Sequence, residues 1–244
     1  MDVSLYSAAA AMNATERWQD MIAENLSMAG VPGAHARAMS FSAVAAGQAK
    51  IANHAVVLPQ TSVSTDFTQG ELRGSVNPMD CALQGPGFFT VDTGDSVKGY
   101  TRDGEFAVNK SSQLVNKQGL LVLSEGGPIR IDPTNKSPVT ISQDGVVSQG
   151  ALINGKLAIA EFARPQNLTS AGGGIYRNND PNVLPVPAQK TQVRSGNSEN
   201  SNVAPILAMA TMITAMRMFE SNQKVMQMGG ERMSKAITEL SGTN

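Results

Sequence analysis

The sequence predicts a mainly β protein with one α-helix at each end and an antiparallel β-domain inserted between the two helices. Methionine and glycine are segregated along the 244 residues. Of 13 methionines, twelve lie between Met1 and Met39 or between Met209 and Met233, whereas sixteen of 23 glycines lie between Gly70 and Gly174. The ends carry apolar residues at heptad spacing, and the middle carries short apolar runs separated by turn residues.

Composition excludes several functional classes. The formal net charge is -1 and charged residues make up 16% of the chain, without the basic patch of a nucleic-acid binder. Apolar stretches are much shorter than the ~20 residues needed to cross a bilayer. The start of the chain, Met1 to Leu5, lacks the basic and apolar regions of a cleaved signal peptide. A single cysteine, Cys81, excludes an internal disulfide and a cysteine-based zinc site.

The N-terminal segment predicts a helix from Leu5 to Ala29, because it contains no proline or glycine and is rich in alanine, methionine and leucine. The helix should stop at the Gly-Val-Pro-Gly sequence of residues 30–33. Two series at heptad spacing suggest a weak coiled-coil seam with small residues. Their members are Leu5, Met12 and Leu26 in one series, and Ala8, Thr15, Ile22 and Ala29 in the other.

The C-terminal segment predicts a longer helix, with Ser201 or Asn202 as its N-cap and Pro205 in the first turn. An unbroken heptad series runs through Met212, Phe219, Met226, Met233 and Leu240, with Met209, Met216 and Ile237 as companions. This spacing favours a coiled coil in which the two terminal helices pair with each other. An ordinary amphipathic helix facing a core would show a similar pattern.

The middle of the chain, from Thr65 to Arg194, predicts an antiparallel β-domain, since no helix-length periodic segment interrupts its short apolar runs. Asp103-Gly104 and Asp144-Gly145 have the sequence of tight hairpin turns. We expect residues 1–33 with 203–244 to form the terminal helical domain and residues 76–187 the β-domain. Residues 34–75 with 188–202 should form an extended connector between them.

Candidate catalytic groups are few. The two histidines, His35 and His54, lie nineteen residues apart without clustered cysteines, which does not favour a metal site. Two carboxylate pairs, Asp92 with Asp95 and Asp103 with Glu105, have the composition that glycosidases use, but both lie in predicted turns. We therefore predict no enzyme activity, no catalytic constellation, no cofactor and no metal.

Several motifs, in sequence order, resemble those of the flagellar rod and hook protein family. They are Asp66-Phe67-Thr68-Gln69-Gly70-Glu71-Leu72, Asn77-Pro78-Met79-Asp80, residues 82–89 (Ala-Leu-Gln-Gly-Pro-Gly-Phe-Phe), residues 100–106 (Tyr-Thr-Arg-Asp-Gly-Glu-Phe), and the C-terminal block from Ser201 to Asn222. Near the N-terminus the chain departs from the family pattern, because Met28, Val31 and Ala34 replace an Asn, a Thr and an aromatic residue.

The resemblance implies a structural subunit of the bacterial flagellar basal-body rod, the axial drive shaft that transmits torque and encloses an export channel. Expected partners are copies of the same chain, neighbouring rod proteins and the flagellar type III export apparatus, with no nucleic acid, membrane insertion or small-molecule substrate. The expected location is the basal-body rod, where it crosses the periplasm. The expected assembly interface is Leu5, Met12, Ile22, Asn25, Leu26, Met212, Met216, Phe219, Met226, Met233, Ile237 and Leu240.

The sequence leaves three alternative functions open. Residues 127–129 and 141–148 resemble the proximal-rod members of the family more than the distal-rod members, but a distal-rod subunit stays possible. A cell-wall glycan hydrolase anchored by its helices would use the carboxylate pairs described above. A monomeric binding module with a helical stalk is the third alternative.

Overall fold

A computed structural model describes residues 3–51, 54–94, 97–180 and 182–241. It contains an N-terminal helix α1 (Val3–Met28), a C-terminal helix α2 (Pro205–Ser241) and nineteen strands. The fold is therefore mainly β with one helix at each end, as the sequence predicts. No helix in these ranges is long and apolar enough to span a membrane.

The strands are numbered in chain order, and a short 3-10 helix, Pro165–Asn167, precedes β15. They are β1 (Arg37–Ile51), β2 (His54–Thr65), β3 (Leu72–Gly74), β4 (Cys81–Gln84), β5 (Phe88–Asp92), β6 (Lys98–Thr101), β7 (Ala107–Val108), β8 (Leu114–Val115), β9 (Leu121–Ser124), β10 (Gly127–Pro128), β11 (Val139–Ile141), β12 (Val146–Gln149), β13 (Leu152–Lys156), β14 (Ile159–Glu161), β15 (Leu168–Gly172), β16 (Ile175–Asn178), β17 (Val186–Pro187), β18 (Gln192–Ser195) and β19 (Asn197–Glu199).

The chain divides into two compact units. The first consists of α1 up to Leu26, the chain from Arg37 to Ser64, and the chain from Ala204 through α2. Its strands β1 and β2 pair as a two-stranded sheet, so the predicted connector is extended here as two long paired strands. Asn25 binds the start of β1 through both ends of its amide, with Nδ2 donating to the Arg37 carbonyl and Oδ1 accepting from the Arg37 N–H, each at 2.8 Å.

Helix α2 buries a row of side chains that only partly matches the predicted row. Met212, Phe219 and Met226 are half-buried as expected, but their companions at alternating spacings of three and four are small or polar. These companions are Ala208, Ala215, Asn222 and Gly229. Met209, Met216, Met233 and Ile237 are exposed in the single chain, so their assignment to a helix seam stays a prediction.

Contacts between the helices centre on one small cluster in which Met21 and Ile22 of α1 are buried with Ala215 of α2. A row of small residues lets two helices approach closely, which explains why packing selects the alanine row over the methionine row. The described contacts do not establish a coiled coil, which stays a prediction.

The second unit, residues 27–36 and 65–203, is the antiparallel β-domain. Its largest sheet has ten strands, seven of them in the order β15-β16-β6-β5-β9-β8-β7, with β10 beside β9, β14 beside β5 and β17 beside β14. A three-stranded sheet, β11-β12-β13, and two strand pairs, β18 with β4 and β19 with β3, complete it. The last two pairs join the return segment of the chain to the start of the domain. The three-part domain division stays a prediction.

Of the two predicted hairpin turns, one is confirmed. Asp144-Gly145 connects β11 to β12, which pair antiparallel, and Gly145 has a φ of 78°. Asp103-Gly104 follows β6, which pairs with β5 and β16 but not with β7, so it is not a hairpin turn. Instead the Gly104 carbonyl accepts a hydrogen bond of 3.0 Å from the Cys81 N–H. The glycine is needed there for close backbone approach, since a Cβ would lie 1.7 Å from the Cys81 carbonyl oxygen.

This crossing predicts that Gly104→Ala lowers the free energy of unfolding by about 1–3 kcal/mol or more, because the two backbones must separate. Urea unfolding would measure the loss, and thiol-reagent labelling of the buried Cys81 would report local opening. Gly126→Ala is the matched control, because its Cβ would meet nothing closer than Ser124 Oγ at 3.9 Å. Equal unfolding midpoints for the two variants would show that the crossing tolerates a side chain.

Candidate functional site

A buried ion pair lies within the β-domain, where the motifs of residues 82–89 and 100–106 meet the segment that precedes Ser201. Arg102 Nη1 is 3.3 Å from Glu199 Oε2, and the two side chains are 2% and 0% exposed. Arg102 Nη2 donates to the Gly85 carbonyl at 2.6 Å, and the guanidinium lies 5.0 Å from the centre of the Phe88 ring. Burial raises the pKa of Glu199 and lowers the pKa of Arg102, and the opposite charge of each partner counteracts both shifts.

Glu199 also holds two loops. Its Oε1 accepts from the Gly70 N–H at 3.0 Å, and its backbone carbonyl accepts from the Gly33 N–H at 2.8 Å. Gly33 has a φ of 65° and a Cβ there would lie 2.4 Å from the Arg102 carbonyl carbon, so no other residue fits without strain. Gly33 of the divergent N-terminal turn thus packs directly against the backbone of Arg102.

Asn202 joins three further backbone positions. Its Oδ1 accepts from the Ala36 N–H at 2.6 Å, and its Nδ2 donates to the carbonyls of Asp66 at 2.8 Å and Thr68 at 2.9 Å. Ser201 Oγ accepts from the Val203 N–H. The prediction that Ser201 or Asn202 caps α2 is therefore wrong, because both side chains bind backbone groups that precede or lie outside the helix.

Four aromatic rings pack beside the ion pair. His35 lies 5.2 Å from Phe67 and 5.9 Å from Tyr176, measured between ring centroids, and its backbone N–H donates to the Tyr176 hydroxyl at 3.1 Å. Phe88 closes the cluster at 6.5 Å from His35. Burial, with Arg102 nearby, lowers the pKa of His35 to about 4. This histidine is therefore a neutral core residue at neutral pH.

The carboxylate pair Asp103 and Glu105 combines a buried side chain, that of Asp103, with a half-buried one, that of Glu105. Asp103 is buried and accepts from the Glu105 N–H at 3.0 Å, and burial raises its pKa to about 6. Glu105 pairs with Lys117 and accepts from Ser198 Oγ at 2.8 Å. In the other pair, Asp92 accepts from the Gly94 N–H in a turn, and Asp95 lies outside the described residues. Within the described ranges, no group of three or more His, Cys, Asp or Glu side chains could hold a metal ion.

The predicted assembly residues fall into two groups. Ile22 is buried, while Met12, Asn25, Leu26, Met212, Phe219 and Met226 are half-buried. Met216, Met233 and Ile237 are exposed. Leu5 and Leu240 lie within the helices, but their side chains are outside the described part of the structure. Among the described side chains, the predicted assembly set leaves out six further exposed large apolar residues of α2, which are Ile206, Leu207, Ile213, Met218, Val225 and Met228.

The ion pair predicts a strongly non-additive response to mutation. Arg102→Met or Glu199→Gln alone should lower the free energy of unfolding by about 3–5 kcal/mol, because each leaves a buried charge without its partner. The double variant should lose far less than the sum of the two. Urea unfolding of all four proteins completes the cycle, and additive losses would mean that the two groups do not interact.

His35 and Asp103 predict opposite pH effects. The folded-state pKa of His35 is lowered from 6.5 to about 4, so the unfolded chain binds more protons there and stability falls with falling pH. The pKa of Asp103 is raised from 3.8 to about 6, so the folded chain binds more protons and stability rises with falling pH. Relative to wild type, His35→Leu should therefore gain up to about 3 kcal/mol on acidification, and Asp103→Asn should lose a similar amount. Urea unfolding between pH 4 and 7 would test both, and parallel profiles for all three proteins would contradict the assignment.

Two protein-family models match parts of this chain. A family model described as the flagellar hook protein FlgE/F/G D1 domain matches residues 82–149. A second, described as flagellar basal body rod FlgEFG protein C-terminal, matches residues 194–239. Arg102 lies in the first matched region and Glu199 in the second, so the buried ion pair joins the two.

Relatives extend the match over the whole chain. The flagellar basal-body rod protein FlgF of Caulobacter vibrioides is 33% identical over 251 residues, covering 100% of both chains. FlgF of Salmonella typhimurium is 32% identical and covers 99% of both. The rod protein FlgG of Borreliella burgdorferi is 30% identical over 174 residues, covering 66% of this chain and 64% of its own. This chain therefore belongs to the flagellar basal-body rod protein family, in which it is of the FlgF type and has the FlgG proteins as close relatives.

Proposed function

We propose that this chain is a structural subunit of the proximal flagellar rod and polymerises through its terminal helices. Its partners are then copies of itself and neighbouring rod proteins, and its assembled form transmits torque around an export channel. Passage through the flagellar type III export apparatus would deliver it to the rod. The full-length match to FlgF proteins supports the proximal over the distal type, since the FlgG match covers about two thirds of the chain.

The observation that carries the assembly mechanism is the exposed apolar face of α2. Ile206, Met209, Ile213 and Met216 are 86%, 53%, 54% and 48% exposed and recur at spacings of three and four. They form a stripe on one side of the helix, separate from the half-buried row that contains Ala215. A contiguous apolar face of this kind marks an interaction surface on a soluble protein.

The energetics favour burial of this stripe between subunits. Fully burying one such side chain contributes about 1.5–3 kcal/mol, so four of them can offset much of the entropy lost on association. Methionine is well suited to the surface, because its flexible thioether side chain adapts to neighbours of unequal shape. Coiled-coil packing of α1 and α2 along their heptad rows is part of the same proposal.

No specific observation favours a glycan hydrolase. Of its two candidate carboxylate pairs, Asp103 and Glu105 are engaged by a backbone N–H, by Lys117 and by Ser198, and the other pair includes Asp95, which lies outside the described residues. Glycosidases need two carboxylates free to face the scissile bond. Asp103 and Glu105 instead hold parts of the β-domain together.

Ile213→Asp tests the assembly face. Because Ile213 is exposed in the single chain, the variant should fold normally, but each incorporated copy would bury an unpaired carboxylate. We expect rod incorporation and motility to be lost while expression, helix content and export remain. Ser221→Asp, which alters an exposed polar residue elsewhere on α2, is the matched control and should assemble. Normal rods containing Ile213→Asp would show that this face does not contact other subunits.

A further inference from the structure

A polar contact lies within the apolar packing between α1 and α2. Asn222 Nδ2 lies 3.4 Å from Thr15 Oγ1, to which it donates a hydrogen bond. Thr15 is buried, and its hydroxyl donates its single proton to the Ala11 carbonyl at 2.5 Å. The hydroxyl can therefore only accept from Asn222, and the contact has a fixed direction.

The position of this contact defines how the two helices are aligned. Ile22 of α1 belongs to the same buried cluster as Ala215 of α2. Thr15 precedes Ile22 by seven residues, whereas Asn222 follows Ala215 by seven residues. The helices therefore run antiparallel, and the two contacts are spaced equally along both.

The apolar residues alone discriminate poorly between alignments. A slip of one heptad moves one helix about 10 Å along the other and again sets heptad positions against heptad positions. The polar pair responds differently, because the slip places Asn222 opposite Ala8 or Ile22 and Thr15 opposite Gly229 or Ala215. None of those residues has a side chain that can hydrogen-bond, so Asn222 loses its partner on α1, and the Thr15 hydroxyl keeps only the Ala11 carbonyl.

We propose that Thr15 and Asn222 are the residues that specify the antiparallel register of the two terminal helices. The pair excludes slipped alignments that the apolar side chains would tolerate. A single polar contact in an apolar helix interface is suited to this task, since it stabilises one alignment and penalises the others. This inference concerns the single chain and does not depend on the proposed assembly.

The register can be measured by pulsed electron paramagnetic resonance between two spin labels. Asp20→Cys on α1 and Arg217→Cys on α2 provide exposed attachment points, and the buried native Cys81 would stay unlabelled. The otherwise wild-type chain should give one distance. Thr15→Val and Asn222→Leu should each add a second, longer distance, because a slip of one heptad moves one label about 10 Å along the helix axis, with the slipped population raised about tenfold or more.

Gln223→Leu is the control, because it adds the same apolar side chain at the exposed neighbour of Asn222. It should keep the single distance. Should Asn222→Leu prevent the helices from pairing, the nearly isosteric Thr15→Val decides the question alone. The proposal is overturned by a single unshifted distance in Thr15→Val, by a second distance in Gln223→Leu, or by several distances in the otherwise wild-type chain.

Discussion

The buried ion pair of Arg102 and Glu199 is the constraint on which the β-domain depends. Taking two charges out of water is expensive, and further hydrogen bonds to both groups offset part of that expense. Glu199 accepts from the N–H of Gly70, and Arg102 donates to the carbonyl of Gly85 and lies over the face of Phe88, although its buried Nε has no hydrogen-bond partner among the described residues. Segments distant in the sequence must therefore come together around the pair before it becomes stable.

The region around Asn202, which follows Glu199 closely in the chain, holds the points where the chain enters and leaves the β-domain. Ala36 accepts a hydrogen bond from the Asp66 N–H, and Asn202 binds Ala36, Asp66 and Thr68. The chain passes to the helical unit directly after Ala36 and after Val203, and returns directly before Thr65. The residues of the β-domain at these three connections are thus hydrogen-bonded to one another. The motifs around Asp66 and Asn202, which lie far apart in the sequence, therefore stabilise the same part of the domain.

Periodicity and turn chemistry predicted the fold class, both helices and the hairpin at Asp144-Gly145, because those features depend on local sequence. The Arg102–Glu199 pair could not be predicted from spacing, since its partners are 97 residues apart and only tertiary structure joins them. Asp103-Gly104 shows the same limit: its sequence is that of a turn, but a long-range crossing with Cys81 decides its conformation. The buried row of α2 was missed because hydrophobicity favoured Met209 and Met216, whereas close packing selected Ala208 and Ala215.

The proposed polymerisation through α2 places two demands on this helix, and its two faces separate them. Its inner row of small and polar residues, with Asn222 at its centre, favours one specific alignment with α1. Its outer stripe is apolar, methionine-containing and exposed, which favours adaptable contact with several neighbours. A helix with a single apolar face could not do both, because the residues that tolerate varied neighbours are those that fail to define a register. Placing specificity inside the chain and adaptability on its surface resolves the conflict.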